Sequence, residues 1–328
     1  VASAITHPYV YEFVPTSSRG AHGTFLATVS TFGILISNVV AYAFAQQWRW
    51  VLSFSLLPAV LQAVAGPLVM PTTGQPPQAS THHLLASSSR KQGHAADDDG
   101  GWPALWRALR TTEARGLLAT GFGLNVLQQF SGIAVGVYYA PYILERIHFS
   151  DRFSVFLSAA MGIVQIAAML AVAGVVDRTG RKPMGIIGLC IMALALLTLG
   201  AAFPFPGATA GWVSLTALLL YRVAFALSMG PLPFVVTSEI FPRSYRTAAV
   251  AACCCANWLA TFVVSLVFLP FAELISISGT LLSYVGVCLV GAWFIHLCVP
   301  EMAGKPLEHL DQKETYGALE SQASAAKV

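Results

Sequence analysis

Charged residues are scarce in this sequence, and their scarcity excludes one broad class of protein. Asp, Glu, Lys and Arg together make up 10% of the 328 residues, whereas soluble domains carry about 25%. Hydrophobic residues make up 56%, and the mean hydropathy is +0.67. The composition therefore indicates a membrane protein rather than a soluble domain.

Signatures of several functional classes are also lacking. The sequence contains no G-x-x-x-x-G-K-S/T loop, which would hold the phosphates of ATP in a pump, and no credible catalytic triad. Neither a ring of charges nor the filter motif of an ion channel is present. We therefore expect no enzyme, no ATP-driven pump and no channel, and we expect no cofactor and no nucleic-acid partner.

Long apolar stretches dominate what is present, and each is close to the ~20 residues that cross a bilayer as one helix. The eight stretches are 22–45, 50–70, 115–143, 153–176, 183–205, 212–238, 248–272 and 279–299. They predict an all-α polytopic, multi-pass integral membrane protein. We find no signal peptide, and the first residue is Val1 rather than Met, which we interpret as a fragment or a processed chain.

Metal binding is disfavoured at the two places where the sequence suggests it. The consecutive Cys253, Cys254 and Cys255 lie within a predicted span, and consecutive helical side chains point in different directions. The connection 71–114 carries paired histidines and three consecutive aspartates, but it is rich in Pro, Ser, Gln and Gly, as solvated linkers are. We expect no metal site at either place.

The distribution of basic residues predicts the orientation in the membrane. Of the 18 Lys and Arg residues, 14 lie in alternate connections on one side, and only Arg49, Arg146 and Arg152 lie on the other. The positive-inside rule places the richer side in the cytoplasm. The connection 71–114, which ends in a short amphipathic helix, and the tail 300–328 are therefore predicted to be cytoplasmic. The type of membrane, plasma or internal, stays open.

A short repeat predicts how the spans are organised. The segments EFVPTSSR, from Glu12 to Arg19, and EIFPRSYR, from Glu239 to Arg246, share the pattern E-x-x-P-x-S-x-R. Each is followed by two spans and then a proline, 59 or 61 residues after its glutamate. Parallel repeats of this kind occur in secondary transporters. Because four spans precede the second copy, we expect four more before the first one.

Several motifs, in order along essentially the whole chain, resemble the sugar porter family of the major facilitator superfamily. They are YEFVPTSSRG, QQFSGIAVGVYY, DRTGRK, GPLPFVVTSEIFPRSYR and VPEMAGKPLE. The resemblance implies a major facilitator fold with eight of twelve helices present, family helices 5–12. Residues 1–70 then end the N-terminal bundle, and 115–299 form the C-terminal six-helix bundle. The LPAVLQ and SEIFP segments look somewhat like class III facilitative glucose transporters.

Amide and aromatic side chains are the expected sugar contacts. Glutamine both donates and accepts hydrogen bonds without charge, which suits sugar hydroxyls, so we expect Gln128 and Gln129 to face a water-filled cavity. The alternative is that these amides only bond neighbouring helices. The resemblance implies further contacts from Gln165, Phe234, Asn257 and Trp258, although Trp258 could equally be ordinary packing.

Two further groups of residues are expected to act in alternating access. The resemblance implies an outer gate at Tyr138 and Tyr139, and a mobile helix broken at Gly230, Pro231 and Pro233. It also implies a cytoplasmic salt-bridge network that latches the two halves together, where the alternative is charges that only set topology. This network comprises Glu12, Arg19, Asp177, Arg178, Arg181, Glu239, Arg246 and Glu301.

Some positions depart from the family pattern. Ala27, Ala134 and Ala226 stand where relatives often carry polar side chains, and Arg222 lies near the middle of a span without an acidic partner in view. For Arg222 a partner in further helices, an anionic substrate or snorkelling all remain open.

We predict alternating-access transport of a hexose or related sugar or polyol, either facilitative or coupled to protons. The alternative is a non-transporting sugar sensor or an inactive truncated homologue.

Overall fold

The computed structural model describes residues 19–44, 47–69, 101–146, 149–173, 180–205, 207–242 and 244–299. Helices and turns make up this part of the chain. The helices are α1 Arg19–Ala43, α2 Trp48–Phe54, α3 Leu56–Val69, α4 Trp102–Ala108, α5 Thr112–Phe130, α6 Ile133–Tyr138, α7 Ala140–Arg146, α8 Asp151–Ala173, α9 Arg181–Ala202, α10 Ala208–Leu227, α11 Leu232–Ile240 and α12 Arg246–Cys298.

Each of the eight predicted spans contains helical residues in the described part of the chain, although the boundaries of the helices differ from those of several spans. Four helical stretches are long and apolar enough to cross a membrane, namely Asp151–Val172, Arg181–Ala202, Ala208–Ile240 and Arg246–Cys298, and two shorter apolar helices are Thr28–Ala43 and Arg49–Ala65. Apolar side chains on α2 and α3 are widely exposed, such as Trp50, Leu57 and Leu61. This exposure suits helices that are surrounded by apolar groups in a bilayer rather than by water.

The third predicted span is wrong as a single helix. It is divided into α5, α6 and α7, and the first break lies at Ser131 and Gly132. Gly132 has a φ of 96°, in the left-handed region that favours glycine, and an added Cβ would lie 3.2 Å from the Tyr284 ring, so a side chain at this position would be strained. The Tyr221 hydroxyl donates to the Ser131 carbonyl at 3.0 Å, which satisfies a carbonyl near the break.

A second break separates α10 from α11, as the prolines of the GPLP segment predict. Pro231 lies just before α11, and the peptide nitrogen of a proline cannot donate to the helical ladder. At this break Ser228 packs so closely on α9 that a Cβ at Gly188 would lie 1.9 Å from its Oγ. The carbonyls of Met229 and Gly230 face the interior, where a side chain described below binds them.

The last two predicted spans form one long element. In α12 the two helices meet at Ser276, whose φ of 74° and ψ of 160° are not helical. The Ser276 side chain accepts a hydrogen bond from the Gly279 amide at 3.1 Å, which is how a serine caps the first turn of a helix. Between the predicted spans 248–272 and 279–299 the helix therefore continues up to one kinked residue, Ser276, which caps the helix that follows.

Packing among the helices sets the frame of the site. Helix α9 packs on α10 and α12, α5 packs on α12, and α1 packs on α8. The short helix α4 agrees with the amphipathic helix predicted before the third span, and it buries Leu105. It is held next to the start of α12, because the Gly101 amide donates to the Ser244 carbonyl at 3.0 Å.

Candidate functional site

A partly open cavity of about 380 Å³ lies between α1, α5, α6, α8, α10, α11 and α12, within the size range of small-molecule sites. The predicted contacts all line it: Gln128, Gln129, Gln165, Phe234, Asn257 and Trp258. Two of the predicted gate residues, Tyr138 and Gly230, line it as well. Among the described residues at its wall, none carries a charge.

Gln128 is held entirely by protein groups. Its Nε2 donates to the carbonyls of Met229, at 2.7 Å, and Gly230, at 3.0 Å. Its Oε1 accepts from Asn257 Nδ2 at 2.6 Å and from Gln129 Nε2 at 3.3 Å. In this conformation the Gln128 side chain satisfies the carbonyls of the broken helix. Its observed contacts are therefore those of the alternative in which the amide bonds neighbouring helices and does not bind sugar.

The direction of these amide hydrogen bonds follows from the two carbonyls. A carbonyl only accepts, so Gln128 must turn its Nε2 toward Met229 and Gly230 and its Oε1 toward Asn257. Asn257 Nδ2 also donates to the Asn125 carbonyl at 3.1 Å, which leaves its Oδ1 to accept from Gln129 Nε2 at 3.1 Å. The acceptor at the end of this series of hydrogen-bonded amides is Gln129 Oε1, which has no protein partner among the described residues.

Gln165 presents the opposite polarity. Its Oε1 accepts from Arg222 Nε at 2.9 Å, so its Nε2 remains as a donor at the cavity wall. Gln129 Oε1 and Gln165 Nε2 therefore offer one acceptor and one donor to a ligand. A group with hydroxyls can meet both, because a hydroxyl donates and accepts.

The aromatic residues differ in how they are held. Trp258 lines the cavity and is half exposed, whereas Phe234 is half-buried and packs on the core. Tyr138 is also exposed at the cavity, but Tyr139 turns away from it: its hydroxyl donates to the Ser265 carbonyl at 2.9 Å, and its ring lies 4.6 Å from that of Phe268. Of the two predicted gate tyrosines, only Tyr138 contributes to the wall.

Helix α1 supplies wall residues that the sequence reasoning missed. Val29, Ser30, Thr31 and Ile34 line the cavity, and Thr31 Oγ1 donates to the sulfur of Met169 at 3.3 Å. A signal was available, because Thr28 and Thr31 are polar residues one turn apart in an apolar helix and both are buried. Without knowing which helix packs against α1, this pattern does not identify the face of a cavity.

A model described as "Sugar (and other) transporter" matches residues 1–313 of the sequence. The chain belongs to this family of transporters. It is 30% identical over 339 residues to the D-xylose-proton symporter of Escherichia coli (strain K12), with 95% of this chain and 68% of the relative covered. It is 30% identical to the probable polyol transporter 4 of Arabidopsis thaliana, with 92% and 62% covered.

Solved structures of a sugar symporter have the same fold as this protein. The transporter superposes on the proton:xylose symporter XylE bound to 6-bromo-6-deoxy-D-glucose with a TM-score of 0.76 and 28% identity. That match covers 95% of this chain and 70% of XylE. The inward-open conformation of XylE gives a lower TM-score of 0.66, with 93% and 68% covered. The transporter therefore has the helical major facilitator fold and is a multi-pass integral membrane protein.

One pair of the predicted charge network is present in the described residues. Arg181 Nη2 donates to Glu239 Oε1 at 2.8 Å and Nε donates to Oε2 at 3.3 Å, with both side chains buried. Arg181 starts α9 and Glu239 lies near the end of α11, so each charge opposes the dipole of its own helix. The pair offsets both unfavourable placements. It joins two helices of the predicted C-terminal bundle rather than the two halves.

The remaining predicted charges have other positions. Arg246 Nε donates to the Phe241 carbonyl at 2.8 Å, at the end of α11. Glu12, Asp177, Arg178 and Glu301 lie outside the described residues, and so does the side chain of Arg19. Their part in a latch between the halves stays a prediction, as does the cytoplasmic placement of 71–114 and 300–328.

The departures from the family pattern differ in their surroundings. Ala134 lines the cavity on α6, so a longer polar side chain there would reach the ligand space. Ala226 is fully buried and does not line it. The side chain of Ala27 lies outside the described residues.

Proposed function

We propose that the transporter moves a neutral sugar or polyol through this cavity by alternating access, with Gln129, Gln165, Asn257 and Trp258 as ligand contacts. The observation that carries the proposal is a wall without charges among the described residues, on which Gln129 Oε1 is an acceptor and Gln165 Nε2 a donor, neither with a partner in the described part of the protein. A sugar ring with hydroxyls around apolar C–H faces complements both amides and the exposed Trp258 indole.

Gln128 contributes indirectly in this proposal. Its two donors hold the carbonyls of Met229 and Gly230, so it is able to bind a sugar only after those contacts loosen. Movement of the broken helix α10–α11 would thus change which groups face the ligand. This link fits transport by rocking of helices about a central site.

Proton coupling is the finer part of the proposal. Relatives named D-xylose-proton symporter and galactose-proton symporter support it. Among the described residues, the cavity wall contains no carboxylate. Uptake measured with and without a proton gradient separates proton-coupled from facilitative transport.

The test is uptake of radiolabelled D-glucose and D-xylose by the native protein in liposomes. Gln129→Leu should raise KM about 3- to 10-fold, because a lost neutral hydrogen bond costs about 0.5–1.5 kcal/mol. Gln62→Leu is the matched control, because Gln62 is an exposed amide on α3, and it should leave uptake unchanged.

Two outcomes would contradict the proposal. Equal KM values for Gln129→Leu and the native protein would remove the amide from the ligand site. Saturable sugar binding without any uptake by the native protein would indicate a sensor instead of a carrier.

A further inference from the structure

Arg222 is a buried charge that transport through the cavity does not by itself explain. It lies in α10 and is 1% exposed, although an arginine at the centre of a span costs about 2.5–3.5 kcal/mol on insertion scales. Within the described helices it has no carboxylate partner, and it is not among the residues of the cavity wall. The buried position of Arg222 therefore fits neither a side chain that snorkels to the membrane surface nor one that binds an anionic substrate in the cavity.

The two hydrogen bonds that Arg222 makes with described residues both go to α8. Its Nε donates to Gln165 Oε1 at 2.9 Å, and its Nη1 donates to the Ser158 carbonyl at 3.2 Å. Ser158 and Gln165 are seven residues apart and thus share one face of the helix. The guanidinium therefore binds this face through two groups, the Ser158 carbonyl and the Gln165 side chain, and Gln165 is a residue of the cavity wall.

The contact determines which end of the Gln165 amide faces the ligand. A guanidinium has donors only, so the Gln165 amide must turn its Oε1 toward Arg222. If the amide rotated by half a turn, the N–H groups of its Nε2 would face the N–H groups of Arg222, and no hydrogen bond could form. The Gln165 side chain is 4% exposed, and its Nε2 has no protein partner in the described part of the chain. The cavity therefore receives N–H donors at this point rather than a carbonyl.

We propose that Arg222 is a positioning residue that holds Gln165 with its N–H donors toward the ligand. This arrangement selects a sugar whose oxygen accepts a hydrogen bond at this position. The inference rests on the proposed sugar site. It predicts that a fluorinated sugar binds more tightly than the corresponding deoxy sugar at this ring position, because fluorine accepts a hydrogen bond weakly and never donates one.

The experiment measures equilibrium binding of D-glucose and of its monodeoxy and monodeoxyfluoro analogues to the native protein in detergent. At one ring position, the fluoro analogue should bind native protein about 3-fold more tightly than the deoxy analogue. In Arg222→Met the Gln165 amide is free to turn, so this preference should disappear. Arg49→Met removes an exposed arginine instead and should keep the preference.

A double-mutant cycle tests whether Arg222 acts through Gln165. Gln165→Leu should weaken D-glucose binding about 3- to 10-fold and abolish the fluoro preference. Adding Arg222→Met to Gln165→Leu should then leave the dissociation constant unchanged. A further weakening in the double variant, or an intact fluoro preference in Arg222→Met, would overturn the proposal.

A second variant covers the case in which Arg222→Met does not fold. Gln165→Glu keeps an acceptor for Arg222 and forms a buried ion pair, but it has no donor for the ligand. It should fold, bind D-glucose more weakly and lose the fluoro preference; native-like binding would refute the role of Arg222. If native protein binds none of these sugars, the proposed sugar site itself fails, which is a separate result.

Discussion

Replacing Gln128 by leucine removes the side chain that holds the broken helix α10–α11. The variant keeps the volume but loses four hydrogen bonds: two to the carbonyls of Met229 and Gly230, and two from Asn257 and Gln129. Side-chain hydrogen bonds within membranes average about 0.6 kcal/mol, so four of them amount to roughly 2.4 kcal/mol. The same loss, counted instead as two carbonyls left buried without the Gln128 donor at about 1–3 kcal/mol each, gives roughly 2–6 kcal/mol.

We therefore expect Gln128→Leu to lower the free energy of unfolding by about 2–6 kcal/mol. Gln128→Glu should be worse, because a carboxylate still accepts from Asn257 but faces two carbonyls that it cannot bind. The assay is unfolding of purified protein in mixed micelles, followed by tryptophan fluorescence, with uptake in liposomes measured in parallel. Gln62→Leu and Gln62→Glu are the matched controls on exposed α3.

The order of the two variants is the decisive result. If Gln128→Glu is as stable as the native protein, the donors of Gln128 do not hold the two carbonyls, and the derived direction of the whole amide chain is wrong. If both Gln128 variants behave as their Gln62 counterparts do, the side chain makes no structural contribution.

Three further predictions concern other contacts. Glu239→Gln should destabilise the protein by about 3–5 kcal/mol because it leaves the buried Arg181 charge without a carboxylate; thermal unfolding should show partial recovery when Arg181→Met is added, and no recovery would contradict the pairing. Gly188→Ala should cost about 1–3 kcal/mol through overlap with the Ser228 side chain, and Ser228→Gly should restore the melting temperature unless the overlap is absent. Ala134→Asn should lower KM for D-glucose about 3-fold by adding one hydrogen bond at the cavity wall, and an unchanged KM would place this residue away from the ligand.

The candidate site shows which of its residues could be predicted from motifs in the sequence and which could not. Gln128 and Asn257 are 129 residues apart, and the motifs around them predicted that both face one cavity. The resemblance to a family supplied this expectation, since helical periodicity alone does not bring two separate helices together. Helix α1 carries no such motif, so its contribution through Thr31 was not predicted.

Sequence by itself determined the membrane class, the apolar helical segments and the break at Pro231, because hydropathy and the missing donor of proline are local properties. Tertiary structure decided the polarity of the amides and the partner of Arg222. Those depend on which carbonyl or amide of a distant helix lies within hydrogen-bond reach, as for Arg222 and Gln165, 57 residues apart. It also decided the close approach at the Gly132 break, where a Cβ would lie 3.2 Å from the Tyr284 ring of α12.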